Sequence, residues 1–200
     1  MEVAEALGYC GTFFASILAL LPAFTWRNAT QDHVRDWPIE PHLFCISTWL
    51  LWVLFGVSKG VMIVLVVNGI CIAIDLGFLI AVFRAYPRLR LRLIIGLIIS
   101  FIPCSIAAIV ATQVSPQDCF GVGAMIMHCL IHYFPARDCY HAQLRLKPVW
   151  RLIPFVAFLS AASWVGYGAL LHAWYILTPN CLGLLIAIWG VSHEGRQIKG

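Results

Sequence analysis

What this 200-residue chain has least of is charge: Asp, Glu, Lys and Arg together make up 11% of it. A soluble domain carries roughly 25%, because its core must be covered by solvated groups. With 62% hydrophobic residues the chain lacks the polar surface for water, and lipid must be its main solvent. No run alternates apolar and polar residues, which excludes a membrane β-barrel, and open sheet edges cannot face hydrocarbon. The eight cysteines are scattered singly, with no CxxC and no metal-ligand spacing, so neither a redox motif nor a metal site is expected. His128 and His132 share a helix face, but a third ligand at suitable spacing is missing; they read as pore or packing histidines. No nucleophile–base set can be assembled. An enzyme is therefore not expected, and neither is a cofactor.

What is present is apolar sequence in helix-length runs. A spanning helix needs about 20 apolar residues, and seven such runs stand at about 6–26, 41–57, 60–83, 93–112, 119–135, 151–171 and 173–191. The junctions near Ser58–Gly60 and His172 are tight. With seven spans, one side of the membrane holds twelve of the thirteen Lys and Arg residues, and the other holds only Lys59. Basic loops stay cytosolic, so the N-terminus is expected outside and the C-terminus in the cytosol. "YPRLRLRL" (86–93) then reads as an anchor near anionic lipid, and no nucleic-acid partner is expected. The first span opens with Glu2 and Glu5, unlike a signal peptide, and is kept as a helix of the protein. The sequon Asn28-Ala29-Thr30 falls on the cytosolic side and is expected to be unused. Cys10 and Cys119 both start spans on the outer side, and a disulfide between them is a minority reading.

The chain also repeats itself. Sliding it by 112 positions superposes Trp52 on Trp164, Val53 on Val165, Gly56 on Gly168, Leu65 on Leu177 and Asn68 on Asn180, with Phe55 opposite Tyr167. Five identities in seventeen residues exceed the roughly one or two that chance gives in such apolar sequence. Upstream, a one-residue gap pairs Pro22 with Pro135. The expected organisation is all-α: a three-helix repeat (1–83), a linker with the fourth helix (84–118), a second three-helix repeat (119–191) and a cytosolic tail (192–200). A single linker helix makes the two repeats run in the same direction, as in transporters that hold substrate near the midplane.

Within that arrangement Asn68 and Asn180 are the informative pair. A buried amide without a partner costs several kcal/mol in an apolar setting (about 2–7), so each must face protein or water. Two amides beside two tryptophans would suit a neutral polyol: its C–H face stacks and its hydroxyls hydrogen-bond. One Asn alone reads as helix–helix glue, and one Trp as an interface anchor; the duplicated set favours a pocket.

These residues resemble the SWEET sugar transporters, most sharply in "SWVGYGALLHAWYILTPNCLGLL" (163–185) and "NGICIAIDLGFLIAVFRAY" (68–86). The motif residues are Trp164, Tyr167, Gly168, Pro179, Asn180 and Gly183, with Asn68, Gly69 and Asp75 in the first repeat. The resemblance implies a uniporter for mono- or disaccharides that works by alternating access. It places Asn68, Asn180, Trp52 and Trp164 in the pocket and Thr48, Ser160, Leu18 and Ile131 at selectivity positions. It puts hinge prolines at Pro22, Pro41 and Pro135, with the fourth at Pro154 or Pro148, and gating aromatics at Phe55 and Tyr167. Membrane lipid surrounds such a protein, and a homo-oligomer is compatible with the sequence. The chain departs from the family in "HYFPARDCYHAQL" (132–144) and in having no acid before Pro179. Alternative readings are a PQ-loop-like carrier of amino acids or other small organic solutes, and a non-transporting seven-helix scaffold or receptor. The chain's one Pro-Gln pair, Pro116-Gln117, is expected in an outer loop and not in the repeat helices, and a receptor has no reason to repeat Trp-Asn.

Asp75 is the one carboxyl group deep in a span, a functional suspect by default. Its counterpart in the second repeat is Ala187, so coupling is not built into both halves, and a structural acceptor is the favoured reading.

Overall fold

A computed structural model describes residues 2–26, 39–143 and 152–197. Among them there are helices and connecting turns and no strands. The helices are α1 (Glu2–Trp26), α2 (Glu40–Lys59), α3 (Met62–Ala85), α4 (Arg90–Ser100), α5 (Ile102–Ala111), α6 (Pro116–Gln143), α7 (Leu152–Leu170) and α8 (Trp174–Gln197). A single 3₁₀ turn, Pro87–Leu89, leads into α4. The seven expected spans are all present, the fourth as the pair α4 and α5. Proline 103, at the start of α5, has no N–H for the preceding turn, and the fourth span breaks there. Among the described residues, five stretches of helix are long and apolar enough to cross a membrane, and the shorter Trp174–Trp189 is apolar as well. The chain is thus an integral, multi-pass membrane protein.

Outside the bilayer-length runs, hydrophobicity stops marking helix ends. α6 runs on from the expected 135 to Gln143, and α8 from 191 to Gln197. A helix satisfies its own backbone and continues past the apolar segment that first required it. Large apolar side chains such as Ile95, Ile98 and Ile99 on α4 and Ile106 and Ile109 on α5 are exposed, as a lipid-facing surface requires.

The chain's contacts form two compact units, one of Met1–Leu21 with Cys129–Gly200 and one of Pro22–His128. In the second, Ile39, Leu43 and Ile46 pack on Phe78, Leu79 and Val82 of α3 and on Leu93 of α4. The contacts cut the chain differently from the sequence repeat, because packing and internal likeness are separate properties.

The two helical hairpins carry the repeat into the backbone. At the end of α2, Gly60 N–H bonds Val57 O at 3.3 Å and Val61 N–H bonds Gly56 O at 2.9 Å. At the end of α7, His172 N–H bonds Ala169 O at 3.2 Å and Ala173 N–H bonds Gly168 O at 2.8 Å. Both are Schellman caps, which satisfy the last carbonyls and turn the chain within a few residues. Each hairpin closes over a glycine. A Cβ on Gly56 would come within 3.0 Å of Leu65 N, and one on Gly168 within 3.0 Å of Leu177 N. The left-handed position is Gly60 (φ 72°) in the first hairpin and His172 (φ 51°) in the second.

Candidate functional site

Asn68 on α3 and Asn180 on α8 are both buried, 7% and 8% exposed. Each donates from Nδ2 to the carbonyl four residues back, Asn68 to Val64 O and Asn180 to Ile176 O, both at 2.7 Å. A carbonyl can only accept, so the amide nitrogen must face it. Among the described residues no hydrogen bond reaches Oδ1 of either amide. The bonds lie within single helices, so neither amide serves as glue to a neighbouring helix there. What each retains is an acceptor and a second N–H.

The aromatic residues are duplicated just as closely. Trp52 meets Phe55 edge-to-face, with ring centres 5.5 Å apart at 85°. Trp164 meets Tyr167 at 5.4 Å and 84°. Three-residue spacing on a helix brings each pair together. Both tryptophans are buried, and each lies against the opening helix of the other repeat. The Trp52 indole N–H donates to His128 Nδ1 on α6 at 3.2 Å. Trp164 lies over Gly11 on α1, where a Cβ would stand 2.8 Å from its indole nitrogen.

Of the other expected site residues, Thr48 is buried and donates to Phe44 O at 3.0 Å. Ser160, Ile131, Phe55, Tyr167 and Pro154 are buried, and Leu18 is half-buried. The side chains of Pro22, Pro41 and Pro135 lie outside the described ones, as do Asn28 and Pro148. Thr48, Trp52, Phe55 and Asn68 belong to one contact unit; Leu18, Ile131, Ser160, Trp164, Tyr167 and Asn180 belong to the other. Cys10 and Cys119 are free thiols. No cluster of three or more metal-binding side chains occurs among the described residues.

Asp75 has partners that the sequence did not disclose. His42 Nδ1 lies 3.0 Å from Oδ1, and Trp49 Nε1 donates to Oδ2 at 2.9 Å. His42 also packs its ring on Phe78, with centres 4.3 Å apart. Both partners are on α2, so the carboxyl group ties α2 to α3. At the equivalent positions of the second repeat stand Pro154, Ala161 and Ala187; the polar cluster is confined to one repeat.

Of four residues beside the site, Gly11, His42 and Trp49 went unread in the sequence, and His128 was read as a pore or packing histidine. The repeat held a signal for one of them, since the one-residue gap sets His128 opposite Ala15. Gly183 of the second-repeat motif also gains a reason. A Cβ there would come within 2.8 Å of the His132 ring.

No protein-family model matches the chain. Along its length it is similar to curated sugar transporters. One is Bidirectional sugar transporter SWEET2b of Oryza sativa subsp. japonica, 29% identical over 98% of this chain and 91% of the relative. SWEET2a of Sorghum bicolor is 27% identical over 90% of this chain and 79% of the relative. SWEET7 of Arabidopsis thaliana is 25% identical over 98% and 81%. The solved structure of a eukaryotic SWEET transporter superposes with a TM-score of 0.81, covering 100% of this chain and 98% of the other at 24% identity. The relatives are transporters and not enzymes. Along nearly its whole length the chain is similar in sequence to SWEET sugar transporters, and its fold matches that of a solved one.

Proposed function

We propose that this protein carries mono- or disaccharides across a membrane in either direction, down their gradient, by alternating access around an Asn/Trp pocket. The observation that carries the reading is the twin amide. Asn68 and Asn180 are buried in spanning helices, are held in the same way by their own backbone, and each keeps an acceptor with no protein hydrogen bond among the described residues. Neither Oδ1 is sealed away among the described residues, so each acceptor is open to water or to a ligand. A sugar hydroxyl donates to Oδ1 and accepts from the second N–H, while Trp52 and Trp164 offer apolar faces to its C–H groups.

The repeats 1–83 and 119–191, joined by the linker 84–118, rock about hinges at Pro22, Pro41, Pro135 and Pro154. Phe55 and Tyr167 close the outer mouth, and Thr48, Ser160, Leu18 and Ile131 shape the pocket. The N-terminus faces outside and the C-terminus, with its 192–200 tail, the cytosol. Asp75, tied to His42 and Trp49, braces the first repeat and does not couple a proton to transport.

The test is uptake of labelled glucose and sucrose into proteoliposomes, with and without a pH gradient, for the wild type and for Asn68→Ala and Asn180→Ala. Equilibration of either sugar without a gradient, lost in both variants, is the expected result. Failure of folded protein to move either sugar would overturn the proposal.

A further inference from the structure

Trp52 and Trp164 are equivalent in the repeat, yet their indole N–H groups are treated differently. Trp52 has a specific acceptor, His128 Nδ1 at 3.2 Å. Trp164 lies over a glycine, and the residue that the repeat sets opposite His128 is Ala15. An indole N–H can only donate. Nδ1 of His128 must therefore present a lone pair, which fixes the neutral ring with its proton on Nε2. The ring is also held edge-to-face against Trp49, with centres 5.6 Å apart at 80°. Trp49 itself is anchored on Asp75. A chain of contacts thus runs from His42 through Asp75, Trp49 and His128 to Trp52, and of its members only Trp52 has a like residue at the equivalent position of the other repeat.

We infer that His128 is a positioning residue for sugar binding: its neutral Nδ1 holds Trp52 in the orientation that stacks on the sugar, and a proton at that atom releases it. The step balances simply. A proton from water adds to the Nδ1 lone pair, the ring becomes imidazolium, and the Trp52 N–H loses its acceptor. Nothing is oxidised or transferred. Imidazole changes charge within about pH 5 to 8, so the hold weakens as the medium turns acid.

Other titratable groups stand on the helices around His128. His42 and Cys45 are on α2, Cys71 and Asp75 on α3 and Cys104 on α5, with Lys59 at the loop end of α2. α6 itself adds Asp118, Cys119, Cys129 and His132. Among these, Asp75 is joined to His128 through Trp49. His42 is therefore the control: it is a second imidazole beside the same carboxyl group but touches Asp75 and not Trp52.

This inference rests on the transport reading for its consequence, but the hold itself can be read without transport. In detergent, the indole ¹H–¹⁵N resonance of Trp52, assigned with Trp52→Phe, is followed from pH 8 to pH 5. It is expected to move in the wild type and in His42→Gln and to stay fixed in His128→Gln, whose amide oxygen accepts without titrating. In proteoliposomes, the concentration for half-maximal uptake is expected to rise about three- to tenfold from pH 7.5 to 5.5, the worth of one neutral hydrogen bond. The maximal rate should change less. His128→Gln is expected to give a flat profile whatever its absolute rate, and His42→Gln a wild-type one. A Trp52 resonance that ignores pH, or a profile flattened by His42→Gln and not by His128→Gln, would overturn the inference. If no sugar moves at any pH the transport reading fails, and the indole titration still decides whether His128 holds Trp52.

Discussion

Replacing Asn68 or Asn180 by alanine separates a pocket amide from a structural one. Each removes a hydrogen bond within one helix, worth about 1 kcal/mol, so melting temperatures should fall only slightly. On the proposed transport reading, sugar uptake should fall more than tenfold, because an acceptor for a sugar hydroxyl goes too. A variant that loses both fold and uptake would instead mark the amides as packing groups. Asp75 should behave in the opposite way. Asp75→Leu leaves Trp49 and His42 without their acceptor in an apolar setting and should destabilise the protein by about 2–4 kcal/mol. Asp75→Asn keeps an acceptor and should still equilibrate sugar without a pH gradient. Thermal unfolding in detergent and uptake on the same preparations check both. The asparagines and tryptophans were legible because duplication at a fixed offset needs no knowledge of the fold. His128, His42 and Gly11 were not, because their partners come from helices far away in the chain, and a single histidine or glycine carries no such offset.

The helical hairpins permit a sharper comparison, since one is the control for the other. A non-glycine residue in the left-handed region is strained, and His172 (φ 51°) holds the place that Gly60 holds in the first hairpin. His172→Gly should therefore raise stability by about 0.5–1 kcal/mol, seen as a higher melting temperature. Gly56→Ala should do the reverse: its Cβ would press on Leu65 N at 3.0 Å, and such overpacking costs about 1–3 kcal/mol. The tight junctions themselves were readable, because so few polar residues separate the apolar runs. The break at the start of α5 was not. Pro103 stands inside an unbroken apolar stretch, and hydrophobicity alone does not report where a backbone donor is missing. The long ends of α6 and α8 escaped for a related reason, since they lie beyond the segment that lipid constrains.

For the whole molecule, seven helices followed from composition and span length, and the fold's likeness to a SWEET transporter agrees. Orientation rests on charge alone: twelve basic residues on one side against Lys59 on the other. Tags at the two ends should therefore differ in intact cells. An N-terminal tag should be stained from outside, and a C-terminal tag only after permeabilisation; the reverse pattern would reject the assignment. How the helices share their contacts was hidden from the sequence, because a repeat groups residues by likeness while packing groups them by neighbourhood. Trp52 leans on α6 and Trp164 on α1, so each copy completes the aromatic residue of its sibling. That exchange binds the history of the two copies together. A substitution in either opening helix is therefore felt at the tryptophan of the other repeat. Neither repeat could be lifted into another gene as a working module, since it would leave behind the surface against which its own tryptophan is set.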